Sequence, residues 1–161
     1  MSATQWNTPG LAVSIGAPEY GVKPNAAVIG YGASLLSTIF DSQDKDLIVS
    51  APGKISADRT PELDVVNYVG PNTAPMFFWH NRYDNLVPVI NPILMADAMS
   101  KHNLPFEMHI FQSGQHGMSV NNALTNPTGE GIDPSVGMWV PLCTQWLKSL
   151  FPHQSKRIGI R

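Results

Sequence analysis

Three short runs of mostly apolar residues stand between turn formers: 26–31 (AAVIGY), 74–79 (APMFFW) and 106–111 (FEMHIF). The first two are nearly continuous, as expected of strands covered on both faces; the third alternates, as expected of a strand near a sheet edge. Between the second and third run, residues 90–103 (INPILMADAMSKHN) space Ile90, Leu94 and Ala98 four apart, with Pro92 tolerable in a first turn. A helix linking two strands is expected there, with those three residues as its apolar stripe. Residues 138–151 place Trp139, Leu142, Cys143, Trp146, Leu147 and Leu150 at offsets 0, 3, 4, 7, 8 and 11, the pattern of an amphipathic helix; Pro141 falls in its first turn and Pro152 stops it. Helices alternating with buried runs, over connections long enough for a crossover, predict an α/β fold with a mainly parallel three-stranded sheet flanked by helices. Residues 41–64 and 121–135 read as irregular excursions, and no internal repeat occurs.

The chain's 161 residues fit one domain, 1–161, with a flexible tail expected over 152–161. A formal charge of -2, from twelve acidic and ten basic side chains, argues against phosphate-driven nucleic-acid binding and offers no polybasic membrane patch. No apolar run approaches a membrane span. A small-molecule or protein partner is the expectation. One cysteine, Cys143, cannot form an internal disulfide framework, and the opening MSATQWNTPG lacks a secretory pattern, so a cytoplasmic, reducing compartment is expected.

Chemistry concentrates where the second and third runs end. Asp84 follows the second in HNRYDNLVP, and His116 follows the third in QSGQHG. Open α/β sheets place their ligand sites at the carboxyl ends of the strands, so two adjacent strands would deliver an acid and an imidazole to one rim. A carboxylate there can accept the Nδ1 proton of His116, fix its tautomer and stabilise the imidazolium formed when Nε2 takes a proton from a nucleophile. The glycines flanking His116 permit the turn that aims the ring.

The stretch from 67 to 120 resembles the C-terminal half of α/β-hydrolase esterases related to acetyl-xylan and feruloyl esterases and to prolyl-oligopeptidase-type hydrolases. The resemblance rests on Asp84-Asn85-Leu86-Val87-Pro88, on Pro105-Phe106-Glu107-Met108-His109-Ile110-Phe111 and on Gly114-Gln115-His116-Gly117. It extends back through 23–31 (KPNAAVIGY) and forward to the Trp146-Leu147 helix. It implies a partial α/β-hydrolase fold, Asp84 as triad acid, His116 as base and no cofactor. It also implies a serine in a G-x-S-x-G elbow between a strand and a helix, which this sequence lacks. Ser14, in Ala12-Val13-Ser14-Ile15-Gly16, has the right order before Asp84, but only nine residues separate it from Pro24, too few for an elbow helix and a connection. By resemblance 11–16 (LAVSIG) corresponds to the interior of the helix after the elbow, placing the expected serine near Trp6; Ser2-Ala3 resembles a displaced remnant. Ser2, Ser14 and a serine outside this chain all remain open as nucleophiles.

Other polar residues have plainer readings. His80 ends a buried run and reads as packed or capping, His109 as solvent-facing, His102 and His153 as helix-end and tail residues. Asp41, Asp44 and Asp46 lack the order of a calcium loop. No Cys/His spacing suits zinc, Gly53-Lys54 lacks the upstream glycine of a phosphate loop, and Cys143 reads as core. The expected function is a serine carboxylesterase-type hydrolase of short acyl esters, including acylated carbohydrates, with a small-molecule ester as substrate. The alternative is an inactive remnant serving as a binding module. In the family the nucleophile strand lies beside 26–31, so that strand would offer an apolar edge for self-association or for a complementary chain.

Overall fold

The computed structural model describes residues 2–18, 21–36, 38 and 60–152. The sheet has three strands, β1 (Ala27–Gly30), β2 (Met76–Asn81) and β3 (Phe106–Phe111), in the order β1-β2-β3 with both pairings parallel. In register, Ala27 meets Met76 and Met76 meets Phe106. Helices α1 (Ser2–Gln5) and α2 (Leu11–Ser14) precede the sheet; α3 (Thr60–Leu63) and a 3-10 turn (Val65–Tyr68) lead into β2, α4 (Ile90–Lys101) joins β2 to β3, and α5 (Pro134–Gly137) and α6 (Trp139–Leu150) close the chain.

β2 is the centre of the molecule because every one of its residues is buried. Its side chains alternate between two cores, as a period of two requires. Met76 and Phe78 pack with Met95 and Met99 of α4 and with Ala3 of α1. Phe77 and Trp79 face Cys143 and Trp146 of α6 and Val136 of α5. Phe77 and Phe78 are fully buried, so truncating either to alanine should cost about 3–5 kcal/mol. The α6 stripe falls where its spacing predicts, with Trp139, Leu142, Leu147 and Leu150 packed around the two buried positions.

Three expectations change. The continuous apolar run 26–31 predicts a strand covered on both faces, but β1 is only partly buried and Val28 is 43% exposed; its position at one edge of the described sheet agrees with the expected open edge. Ala27 and Tyr31 donate to Pro75 and Trp79 of the β2 side, so by strand alternation the N–H groups of Val28 and Gly30 point outward. On α4 the buried face is Asn91, Pro92, Met95, Ala96 and Met99, while Ile90 is exposed. The helix is apolar on several sides, so periodicity alone chose a stripe one residue away. Finally, part of 41–64 is regular, since α3 begins at Thr60; Asp41, Asp44, Asp46, Gly53 and Lys54 lie outside the described residues, as do His153 and the expected tail beyond Pro152.

Two local devices fix α4. Asn103 adopts φ 53, and Asn103 N and Leu104 N donate to Ser100 O (3.0 Å) and Met99 O (3.0 Å), a Schellman stop that turns the chain into β3. At its start, buried Asn91 accepts from Ser34 N (2.9 Å) and Leu35 N (2.7 Å) through Oδ1 and donates to Pro88 O (2.9 Å) through Nδ2. This amide pins the segment after β1 to the loop after β2. Among the described residues no helix is long and apolar enough to cross a membrane.

Candidate active site

Asp84 sits in the turn that leaves β2. Its Oδ1 accepts from Leu86 N (2.9 Å) and Val87 N (2.8 Å), an Asx-type turn that folds the D-N-L-V segment around the carboxylate. The side chain is fully buried. Oδ2 is thereby turned toward the β3 side.

The loop after β3 supplies the partner. Gly114 at φ 101 and Gly117 at φ 78 bend it in the left-handed region, as the flanking glycines predicted. A Cβ at Gly114 would stand 2.5 Å from Met118 Sδ and 2.8 Å from Asn81 Nδ2, so glycine is required for space as well as conformation. Asn81, the last residue of β2, donates from Nδ2 to Gln115 O (2.7 Å), and Arg82 N donates to Phe111 O (2.7 Å), tying the two exit loops together. These contacts bring His116 Nδ1 to 2.9 Å from Asp84 Oδ2. A carboxylate only accepts, so Nδ1 carries the proton and Nε2 presents its lone pair.

His116 is partly exposed, 27% at the side chain, and lines a cleft of about 620 Å³ that also touches Glu130 and Asp133. Its Nε2 makes no hydrogen bond among the described residues. Tyr31, just past β1 at φ 40, sets its ring edge-on to His116 at 4.9 Å and edge-on to Trp79 at 4.9 Å; Trp79 in turn stacks on Trp139 at 5.0 Å. All three strands therefore contribute to the rim around one imidazole. Across the cleft Asp133 caps α5 through Ser135 N (2.8 Å), and its carboxyl is held below the usual range first by the Ser113 hydroxyl and then by Ser135.

Asp84 and His116, singled out in the sequence, are thus brought together. Ser14 is not near this geometry: it ends α2, is exposed, donates to Leu11 O (2.8 Å) and follows Gly10 rather than a strand. Ser2 opens α1 and lines a small cavity with Ala27 and Ser34, away from the cleft lining of His116. His109 does not face solvent freely: it is half-buried, bonds Glu107 Oε1 (2.8 Å) and lies tilted against Phe77 at 5.4 Å. His80 is fully buried, as a packed residue should be, but it also touches Asp84. Asn81 and Asn91, which hold the loops, carried no sequence signal, since each acts through a partner far along the chain.

No protein-family model matches the chain. A 54-residue stretch is 41% identical to endo-1,4-beta-xylanase B of Butyrivibrio fibrisolvens, covering 34% of this chain and 8% of that protein. Among solved structures, a carboxylesterase of Lactobacillus plantarum is similar with TM-score 0.71 at 22% identity, over 92% of this chain and 52% of that one. A sugar hydrolase of Lactococcus lactis gives 0.67 at 30% identity, over 86% and 53%. An acetyl ester-xyloside bifunctional hydrolase of Caldicellulosiruptor lactoaceticus gives 0.60 at 31% identity, over 83% and 46%. The chain spans about half the length of these solved structures. With its parallel sheet, flanking helices and strand-end site, the chain has a partial α/β-hydrolase fold of the kind found in carboxylesterases and acetyl-ester hydrolases.

Proposed function

We propose that the chain forms the acid and base part of a serine carboxylesterase-type hydrolase. His116 Nε2 would take the proton of a serine hydroxyl as its oxygen attacks the ester carbonyl, then return it to the departing alcohol. The acyl-enzyme is next hydrolysed by water, with His116 again taking the proton, to release the carboxylic acid and restore the serine. Asp84 holds the ring and offsets the imidazolium charge. The observation that carries this reading is the 2.9 Å bond from His116 Nδ1 to buried Asp84, with the opposite ring nitrogen left at a cleft. Short acyl esters of carbohydrates are the proposed substrate class; support comes from the acetyl ester-xyloside hydrolase and the xylanase among the similar proteins.

The serine would come from outside the described residues, across the open edge of β1. The outward N–H groups of Val28 and Gly30 and the exposed Val28 side chain suit a further strand, from a complementary chain or a second copy. Slowed amide exchange at residues 28 and 30 on association supports this; a monomer at millimolar concentration with those amides exchanging freely counts against it.

One observation favours a second reading, a binding module that keeps the pair without turnover: the sequence contains no G-x-S-x-G. Labelling with a fluorophosphonate, followed by peptide mapping, separates the two. A labelled serine whose modification depends on His116 supports the hydrolase; no label together with no ester hydrolysis supports the binding module.

A further inference from the structure

Asp84 faces two imidazoles, and only one belongs to the proposed reaction. His80 is fully buried near the end of β2, on the α4 side of the sheet by strand alternation. Its Nε2 lies 2.8 Å from Val87 O and 3.4 Å from Asp84 Oδ2. A carbonyl only accepts, so Nε2 carries the proton and donates it to Val87 O, with Asp84 Oδ2 near the same N–H at 3.4 Å as a charge contact. We propose that His80 is a positioning residue for the Asp84–His116 pair: its Nε2–H braces the Asp84–Val87 turn from inside and holds Oδ2 where His116 Nδ1 meets it.

The geometry leaves the carboxylate little freedom. Oδ1 is held by Leu86 N and Val87 N, and Oδ2 by His116 at 2.9 Å with the His80 proton behind it. Val87 takes part twice, its N–H on Oδ1 and its carbonyl on His80, so losing His80 frees the far end of the turn and one side of Oδ2 at once.

The same surroundings divide the proton between the rings. His80 Nδ1 is buried with no hydrogen-bond partner among the described residues, so a second proton there would be a buried donor with nothing to meet. Burial accordingly pushes the His80 pKa down, against the raising effects of the Val87 carbonyl and the Asp84 carboxylate, and a charge on His116 acts in the same downward direction. Asp84 and His116 are the ionisable groups acting on it. His116, with Nε2 at the cleft, is therefore the ring free to take the proton.

The proposal rests on reading His116 as the base, but its test needs no turnover. In long-range nitrogen–proton NMR of the full chain, His80 should show a protonated Nε2 and a bare Nδ1 at pH 8, and should take up a second proton only at a pH below that of an ordinary histidine. An Nδ1–H tautomer, or protonation at the pH of an ordinary histidine, overturns it. The second readout is solvent exchange of the His116 Nδ1 proton. His80→Gln, whose amide N–H reaches toward the Nε2 position, should keep that proton protected, while His80→Leu should speed its exchange about tenfold with core amides unchanged. Unchanged exchange in His80→Leu, or loss of protection in His80→Gln, overturns the proposal; if His80→Leu does not fold, the glutamine variant and the wild-type tautomer decide.

Discussion

Asp84 should hold its loop and orient His116 through different oxygens, and two substitutions separate the effects. Asp84→Ala removes the acceptor of Leu86 N and Val87 N and leaves Asp84's own pocket empty. The Val87 amide is buried and loses its partner outright, worth about 1–3 kcal/mol; the partly exposed Leu86 amide recovers some bonding to water and adds less. With the small cavity, a loss of about 3 kcal/mol is expected, or a Tm fall of roughly 6–12 °C for a domain of this size. Asp84→Asn keeps an oxygen for both amides, so its stability loss should stay near 1 kcal/mol or below. Its amide nitrogen, however, donates toward His116 and forces the wrong tautomer, for which a triad loses on the order of ten-thousandfold in turnover. Urea unfolding of the two variants, read beside ester hydrolysis, checks both halves. Equal destabilisation by Asn and Ala would refute the assignment of Oδ1 to the turn, and an active Asp84→Asn would refute the tautomer argument.

Stability should fall on the acid side because of His80. The unfolded chain binds a proton at His80 below about pH 6.5, whereas burial lowers the folded pKa, so the unfolded state holds more protons and stability drops as pH falls through and below that value. In His80→Gln the pH dependence of unfolding free energy between 7 and 5 should be flatter; an unchanged slope assigns it elsewhere. Gly114→Ala should cost at least about 2 kcal/mol, because φ 101 is strained for alanine and the new Cβ meets Met118 and Asn81, and the Asn81–Gln115 bond should be lost; near-neutral stability by chemical denaturation would contradict this. Cys143, whose thiol pKa is raised first by burial and then by Glu107, should react with a thiol reagent only as the protein unfolds; rapid modification of the native chain would show α6 to be loosely docked.

The strongest periodicities were legible in the sequence. α6 and β3 fall at the expected places because their patterns are carried by large apolar residues in one register. β2 runs two residues later than the apolar run suggested: it starts after Pro75, which has no N–H to give, and continues through His80 and Asn81. Those polar residues are tolerated inside because Val87 O and Gln115 O receive their protons, which a linear pattern does not display. β1 reads as a buried strand by composition, yet burial depends on the neighbouring strand, and neighbours are set by topology. The His109 contact with Glu107 was within reach, since residues two apart on a strand share a face. Asp84 and His116 were legible because both follow buried runs that end at the same sheet edge; the Tyr31 contact was not, because it needs the turn that places Tyr31 at φ 40.

The central claim is that His116, held by Asp84, is the base of an ester hydrolase. The direct measurement is hydrolysis of p-nitrophenyl acetate by the assembly that includes the copy or chain supplying the serine, with the wild-type chain and with His116→Ala in it, at equal concentration. The account predicts turnover above the buffer rate that falls by at least about a thousandfold in the variant. Equal rates for the two proteins would contradict it.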